Sequence, residues 1–292
     1  MNRQFFRQLA FPVAALALAA CSGTTDSPNG TVNLKVQLTD APSVEFDSAI
    51  VEISTVTLLP VEGDPIVITD AGGRFDLLQL QNGVTAELGD VDIPAGDYQE
   101  LRLVVTSAHV WLAEPYEFED GTTDRSLKVP SGAQSGIKVK LSSTDADSMV
   151  PFVSITEDAI LVVDFDVSQN FKIQGNPETP AGLKGVLFTP VLRAVVRDVA
   201  GSISGTVTSS AEGNPGIAGL TVQATMEVNG DQIVATAVTD ENGDYAISFL
   251  APGTYEVVVQ GFTPTDPATM PRSVEVGEGQ DVTDVDFTGT TT

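Results

Sequence analysis

The sequence predicts an all-β protein of two sandwich-like modules, set behind an N-terminal leader and a short tether. Three observations predict it. Short runs of alternating or β-branched apolar residues recur along the chain, bounded by Gly, Pro, Asp and Asn. No stretch carries a long helical period. Composition and charge change near residue 200.

The alternation is plainest in Val32-Asn33-Leu34-Lys35-Val36-Gln37-Leu38, which gives a strand one apolar and one polar face. Comparable runs are Ala49–Leu58, Leu101–Val110, Ile137–Leu141, Ile160–Val167 and Val191–Val196. Many short strands separated by turn residues point to sandwiches or barrels. Asp76–Leu88 has room for one short helical turn.

The chain opens on Met1-Asn2-Arg3-Gln4-Phe5-Phe6-Arg7, a positive start without acids. Leu9 to Ala20 is then apolar apart from Pro12. That run is shorter than the roughly 20 residues a membrane-spanning helix needs, and it fits a signal peptide. It ends in Leu18-Ala19-Ala20-Cys21. This resembles a lipobox, which implies cleavage of residues 1–20 and lipid on Cys21. Cys21 is the only cysteine, so no disulfide forms within one chain. No later segment is apolar enough to be a transmembrane helix, so the lipid is the expected anchor, and about two acyl chains hold a protein stably. Residues 21–31 read as a flexible tether of Ser, Thr, Gly, Asp, Pro and Asn. Ser22 follows the cysteine where lipoproteins retained at the inner membrane carry Asp, so the resemblance favours the outer membrane.

The formal net charge is −26, with 14 Lys and Arg against 40 Asp and Glu. Without residues 1–20 it is about −28 by the same counting. Phosphate would be repelled and no basic stripe exists, so nucleic acid is excluded as a partner. Charge-driven binding to anionic lipid is disfavoured likewise. Solubility in a salty medium is the plain reading of the acidity, and divalent-cation binding the functional one.

A boundary falls near Val199-Ala200-Gly201, separating a module of residues 32–198 from one of residues 201–289. Residues 201–292 hold 13 acids, a single arginine (Arg272) and no lysine. Both modules contain one phrase: Ile93-Pro94-Ala95-Gly96-Asp97-Tyr98 in the first, Leu250-Ala251-Pro252-Gly253-Thr254-Tyr255 in the second. Each is a Pro/Gly turn feeding a strand that opens on a tyrosine, with the ring packed and the hydroxyl expected in water.

The first module carries Leu38-Thr39-Asp40-Ala41-Pro42, then Phe75-Asp76-Leu77-Leu78-Gln79-Leu80-Gln81-Asn82-Gly83, then the Pro94 phrase. Val129-Pro130-Ser131-Gly132, Asp164-Phe165-Asp166-Val167 and Phe188-Thr189-Pro190-Val191 follow in order. Over residues 32–196 this resembles the prokaryotic lipoprotein family of the domain of unknown function 4382, which implies no activity. The second module carries Ile203-Ser204-Gly205-Thr206-Val207, Thr239-Asp240-Glu241-Asn242-Gly243-Asp244-Tyr245 and the Pro252 phrase. It resembles the carboxypeptidase regulatory-like domain, a prealbumin-type sandwich grouped with carbohydrate-binding-like folds, and is similar to B-type adhesin repeats. The resemblance implies an accessory module. The Lys–Asn crosslink of some such repeats is excluded, because no lysine follows Lys184.

Catalytic candidates are few. His109, the only histidine, sits in a strand-like run and reads as half-exposed. Asp164 and Asp166 share a face of a strand, and such a pair suits calcium or glycosidase chemistry. The favoured reading is a solvated face, with Val163, Phe165 and Val167 packed inward. Asp240, Asn242 and Asp244 place oxygen ligands at alternate positions, like half a calcium loop. The competing and favoured reading is a hairpin whose Asn-Gly supplies positive φ. Asp40 reads as a turn cap. Trp111, Tyr98, Tyr116 and Phe118 could form a sugar platform, although core packing explains them more simply.

The expected function is a non-enzymatic structural or interaction module of the cell envelope. Its expected partners are a membrane, reached through lipid, and a glycan or envelope protein. A carbohydrate-binding lipoprotein is the second reading and a carboxylate-dependent hydrolase the third. Calcium is the only cofactor the residues suggest.

Overall fold

A computed structural model describes residues 30–130, 135–141, 152–176, 182–228 and 230–292. The leader, Cys21 and all of the tether before Gly30 lie outside the described residues. The first strand, Thr31–Thr39, opens on the last residue assigned to the tether.

Val32, Leu34, Val36 and Leu38 are buried, as the alternation requires. This strand lies inside a four-stranded sheet in the order Arg193–Val196, Ala159–Asp164, Thr31–Thr39, Ala86–Pro94. It runs parallel to Ala159–Asp164 and antiparallel to Ala86–Pro94. Opposite it stands a seven-stranded sheet built on the long antiparallel pair of Phe46–Pro60 and Gly96–Leu112. One continuous apolar core joins the inner faces of the two sheets. The expected helical turn is a single 3-10 turn, Leu77–Leu80.

This long strand pair changes face half-way. Leu101, Leu103 and Val105 point into the core, and beyond them Ala108, Val110 and Leu112 do. Glu52 pairs with Ser107 but Ile53 pairs with Val105, so Thr106 is an extra residue. Ser54 is extra on the facing strand. Such bulges re-aim every later side chain. Ser107, His109 and Trp111 therefore point outward.

Ile203 opens a second core, formed between two further sheets. One has the order Asp244–Leu250, Gly201–Ser209, Phe287–Thr291, Phe262–Pro264. The other has the order Asp231–Val238, Thr221–Val228, Gly253–Val259, Arg272–Val276.

The shared phrase marks the same device in both modules. The chain leaves one sheet at Pro94 or Leu250 and enters the other at Gly96 or Gly253. Tyr98 Oη then donates to the Pro94 carbonyl at 2.5 Å, and Tyr255 Oη to the Ala251 carbonyl at 2.8 Å. The tyrosine hydroxyls were expected in water. They are instead spent on the backbone four residues earlier, because a chain crossing between sheets leaves that carbonyl without a ladder partner.

Candidate functional site

Three acids and one arginine meet where the two modules touch. Arg193 is on the edge strand of the four-stranded sheet, and its side chain is 15% exposed. Its guanidinium pairs with Asp164 Oδ2. It also donates to the carbonyls of Phe249 and, at 3.2 Å, Ser248, both in the second module. Phe249 has φ of 54°, a left-handed conformation that a bulky residue rarely adopts. Its ring lies 5.5 Å from the Arg197 guanidinium.

Asp166 makes the second bridge. It caps the one-turn helix Val167–Asn170, accepting from Ser168 Oγ at 2.7 Å and from the Gln169 N–H at 3.2 Å. Its other oxygen accepts from Thr236 Oγ1 of the second module at 3.1 Å. Asn170, fully buried, binds the Asp166 carbonyl and both backbone groups of Val191, which fixes this turn beside the edge strand. Asp40 completes the cluster. Its Oδ1 accepts from the Val167 N–H at 2.8 Å, and its buried Oδ2 has no hydrogen-bond partner among the described residues.

The electrostatics follow from burial. Asp40, Asp164 and Asp166 are 5%, 4% and 4% exposed. Desolvation, then the Asp164 charge, pushes the Asp40 carboxyl well above the ordinary carboxylate range. The same two causes raise Asp166 to about 6, against its bonds to Ser168 and Thr236 and the Arg193 charge. A cavity of about 20 Å³ lies among Asp40, Asp164, Arg193 and Thr236. That is room for about one water and not for a sugar ring. A carboxylate-dependent hydrolase therefore has no substrate space here, although two acids with raised pKa do meet.

Two expectations are corrected. Asp164 and Asp166 do not form a solvated strand face. The strand ends at Asp164, the chain turns left-handed at Asp166 (φ 34°), and the second module covers both. Asp40 does not simply cap its own turn. It reaches a backbone N–H more than a hundred residues away.

Asp240, Asn242 and Asp244 occupy a tight turn that joins Asp231–Val238 of one sheet to Asp244–Leu250 of the other, so the hairpin expected from Asn242-Gly243 is not formed, although Gly243 does supply the positive φ. Asp240 Oδ1 accepts from the N–H groups of Asn242 at 2.8 Å and Asp244 at 2.9 Å. These bonds, that from Asp244 first, hold its carboxyl below the ordinary range. Gly243 has φ of 83°, and a Cβ there would meet the Val207 carbonyl oxygen at 2.3 Å. Among the described residues, no group of three or more His, Cys, Asp or Glu is placed to hold a metal ion. Cys21 lies outside the described residues.

His109 is half-exposed, as expected, with its ring nitrogens 2.9 Å from Ser126 Oγ and 2.9 Å from Asp124 Oδ2. Tyr98 and Phe118 belong to the core, and Tyr116 packs against it. Trp111 departs from the expected core packing. The bulge at Thr106 turns it onto the outer face of the large sheet.

Residues 29–179 match the family described as a domain of unknown function (DUF4382), and residues 202–290 match the carboxypeptidase regulatory-like domain. No curated protein matches the chain. Among solved structures, the Bacillus anthracis TIE protein is similar over 89% of this chain, at 13% identity and a TM-score of 0.26. The chain spans 35% of the length of that protein. The minor pilin GBS52 of Streptococcus agalactiae is similar over 88% of this chain and 97% of its own, at 9% identity and a TM-score of 0.25. The major pilin subunit BcpA of Bacillus cereus, as its D312A variant, gives 90% and 100%, at 10% identity and 0.24. Scores this low do not establish a shared fold.

Proposed function

Because the chain belongs to the DUF4382 family and continues into a carboxypeptidase regulatory-like domain, we propose that it is a lipid-anchored, non-enzymatic structural module of the cell envelope. The observation that carries this reading is the module boundary. Side chains of the first module are spent on the backbone and hydroxyls of the second, and the space they enclose admits no substrate. Residues invested in holding two sandwiches together make a stiff spacer.

The anchor reading rests on Arg3 and Arg7, the apolar run and Leu18-Ala19-Ala20-Cys21. No helix among the described residues is long and apolar enough to cross a membrane, which is compatible with attachment by lipid. Ser22 after the cysteine favours the outer membrane.

The test is expression of the full chain in a Gram-negative host fed an alkyne fatty acid. The wild type takes up the label and sediments with outer membranes. Cys21→Ser takes up none and is released. Label retained by Cys21→Ser, or an unlabelled wild type, removes the lipoprotein reading.

A further inference from the structure

The outer face of the seven-stranded sheet is organised around the chain's only tryptophan. Without the bulge at Thr106, Trp111 would point into the core with the parity of Leu101 and Leu103. Bulges recur where a sheet must redirect side chains for binding. Here the redirected set is Ser107, His109 and Trp111, at successive outward positions of one strand.

Neighbouring strands extend this set into a grid. Arg74 faces Glu52, and Glu52 faces Ser107. Ile50 faces His109, which faces Ser126, while Trp111 faces Asp124. The polar members are held in place. Ser107 Oγ donates to Glu52 Oε2 at 2.8 Å, and His109 bridges Ser126 and Asp124. The His109 ring in turn lies against Trp111, with centroids 4.1 Å apart and the planes at 43°. The result is an open concavity of about 440 Å³ with an aromatic ring beside fixed hydrogen-bonding groups. That volume is in the range of small-molecule sites, roughly 300–1,000 Å³.

We propose that this face binds a neutral saccharide, with Trp111 as the stacking surface and Arg74, Glu52 and Asp124 as the hydroxyl partners. The chemistry selects this ligand class. A pyranose offers an apolar C–H face and a rim of hydroxyls that both donate and accept. The grid offers one aromatic surface, a guanidinium that only donates, and carboxylates that only accept and keep lone pairs beyond the bonds they already make. The concavity is open and shallow, so a glycan chain can lie across it. An anionic polymer would meet a chain of net charge −26 and is repelled. The inference goes beyond the spacer role and does not rest on it.

Because Trp111 is the only tryptophan, emission from the intact chain reports on this site alone. The full-length protein, in a detergent without a sugar headgroup, is titrated with laminari-, xylo-, manno- and malto-oligosaccharides, and with heparin fragments as the anionic arm. A saturable emission change with at least one neutral series is expected. Trp111→Ala, followed by calorimetry, should weaken that binding at least about tenfold. Arg74→Ala, on an exposed position that keeps the fluorophore, should weaken it as well, with unchanged circular dichroism. No response to any neutral series at millimolar concentration overturns the proposal. So does binding of the anionic arm alone, or full affinity in both variants.

Discussion

Arg193 and Asp164 form an ion pair inside the boundary between two β-sandwiches, and the guanidinium that neutralises Asp164 also holds backbone carbonyls of the second sandwich. One side chain thus serves both the electrostatics of the first module and its attachment to the second.

Replacing Arg193 by Met removes both roles at once. A buried carboxylate that loses its partner typically costs about 3–5 kcal/mol. Calorimetry of the wild type should show the modules melting together. Arg193→Met should lower the first transition and separate it from the second. The double variant with Asp164→Asn should recover much of the loss, since no unpaired charge then remains. Equal melting of wild type and Arg193→Met would mean that the junction contributes nothing to cohesion.

The carboxyl cluster sets a pH dependence opposite to ordinary acid denaturation. Asp166 rises from 3.8 to about 6 on folding, so the native state holds its proton more tightly than the unfolded chain. That difference is worth roughly 3 kcal/mol. The cost is absent below the unfolded value, grows as pH rises through about 6, and is complete above it. Asp166→Asn keeps the cap to Ser168 and Gln169 and removes the cost. It should melt above wild type at pH 8, with the gap closing by about pH 4. A gap that widens on acidification contradicts this.

The paired corner tyrosines make a prediction that can be checked in duplicate. Tyr98→Phe and Tyr255→Phe each lose one bond to a turn carbonyl, at about 1 kcal/mol net and up to about 3 if the carbonyl stays dry. Burial also raises both phenols, Tyr255 to about 12. Denaturant titrations should therefore show similar losses in the two variants. A loss at only one position would mean that the phrases share sequence but not energetics.

Gly243→Ala should disrupt the turn that joins the two sheets of the second module. Positive φ and a backbone oxygen 2.3 Å from the new Cβ both oppose it. A destabilisation of at least about 1–3 kcal/mol is expected in denaturant titration.

The β architecture was legible because alternation translates directly into burial. Val32, Leu34, Val36 and Leu38 needed no tertiary context. The acid cluster was not legible. Asp164-Phe165-Asp166 continues the alternation past the end of its strand, and periodicity carries no mark of where pairing stops. What covers both acids is Thr236 and its neighbours, remote in sequence. The outward turn of Trp111, where core packing was the simpler expectation, was hidden for a local reason that left a trace. Thr106-Ser107 interrupts an apolar alternation with two consecutive polar residues, and that interruption is the bulge. The repeated Pro/Gly/Tyr phrase was visible, but its hydroxyl bonds appear only once the chain is seen to change sheets.

The placement of Thr31–Thr39 has a mechanical consequence. A pull from residues before Gly30 enters the fold at Thr31, on a strand bonded along both of its edges. The second module draws on the fold through Arg193–Val196, which is joined to the first strand only across Ala159–Asp164 and runs antiparallel to it, so that Val196 lies toward the same end of the sheet as Thr31. Load between these two points therefore peels the ladders from that end, one bond after another, and does not shear them together. A protein strained between an anchor and whatever it holds would open this sheet first at the end nearest the tether.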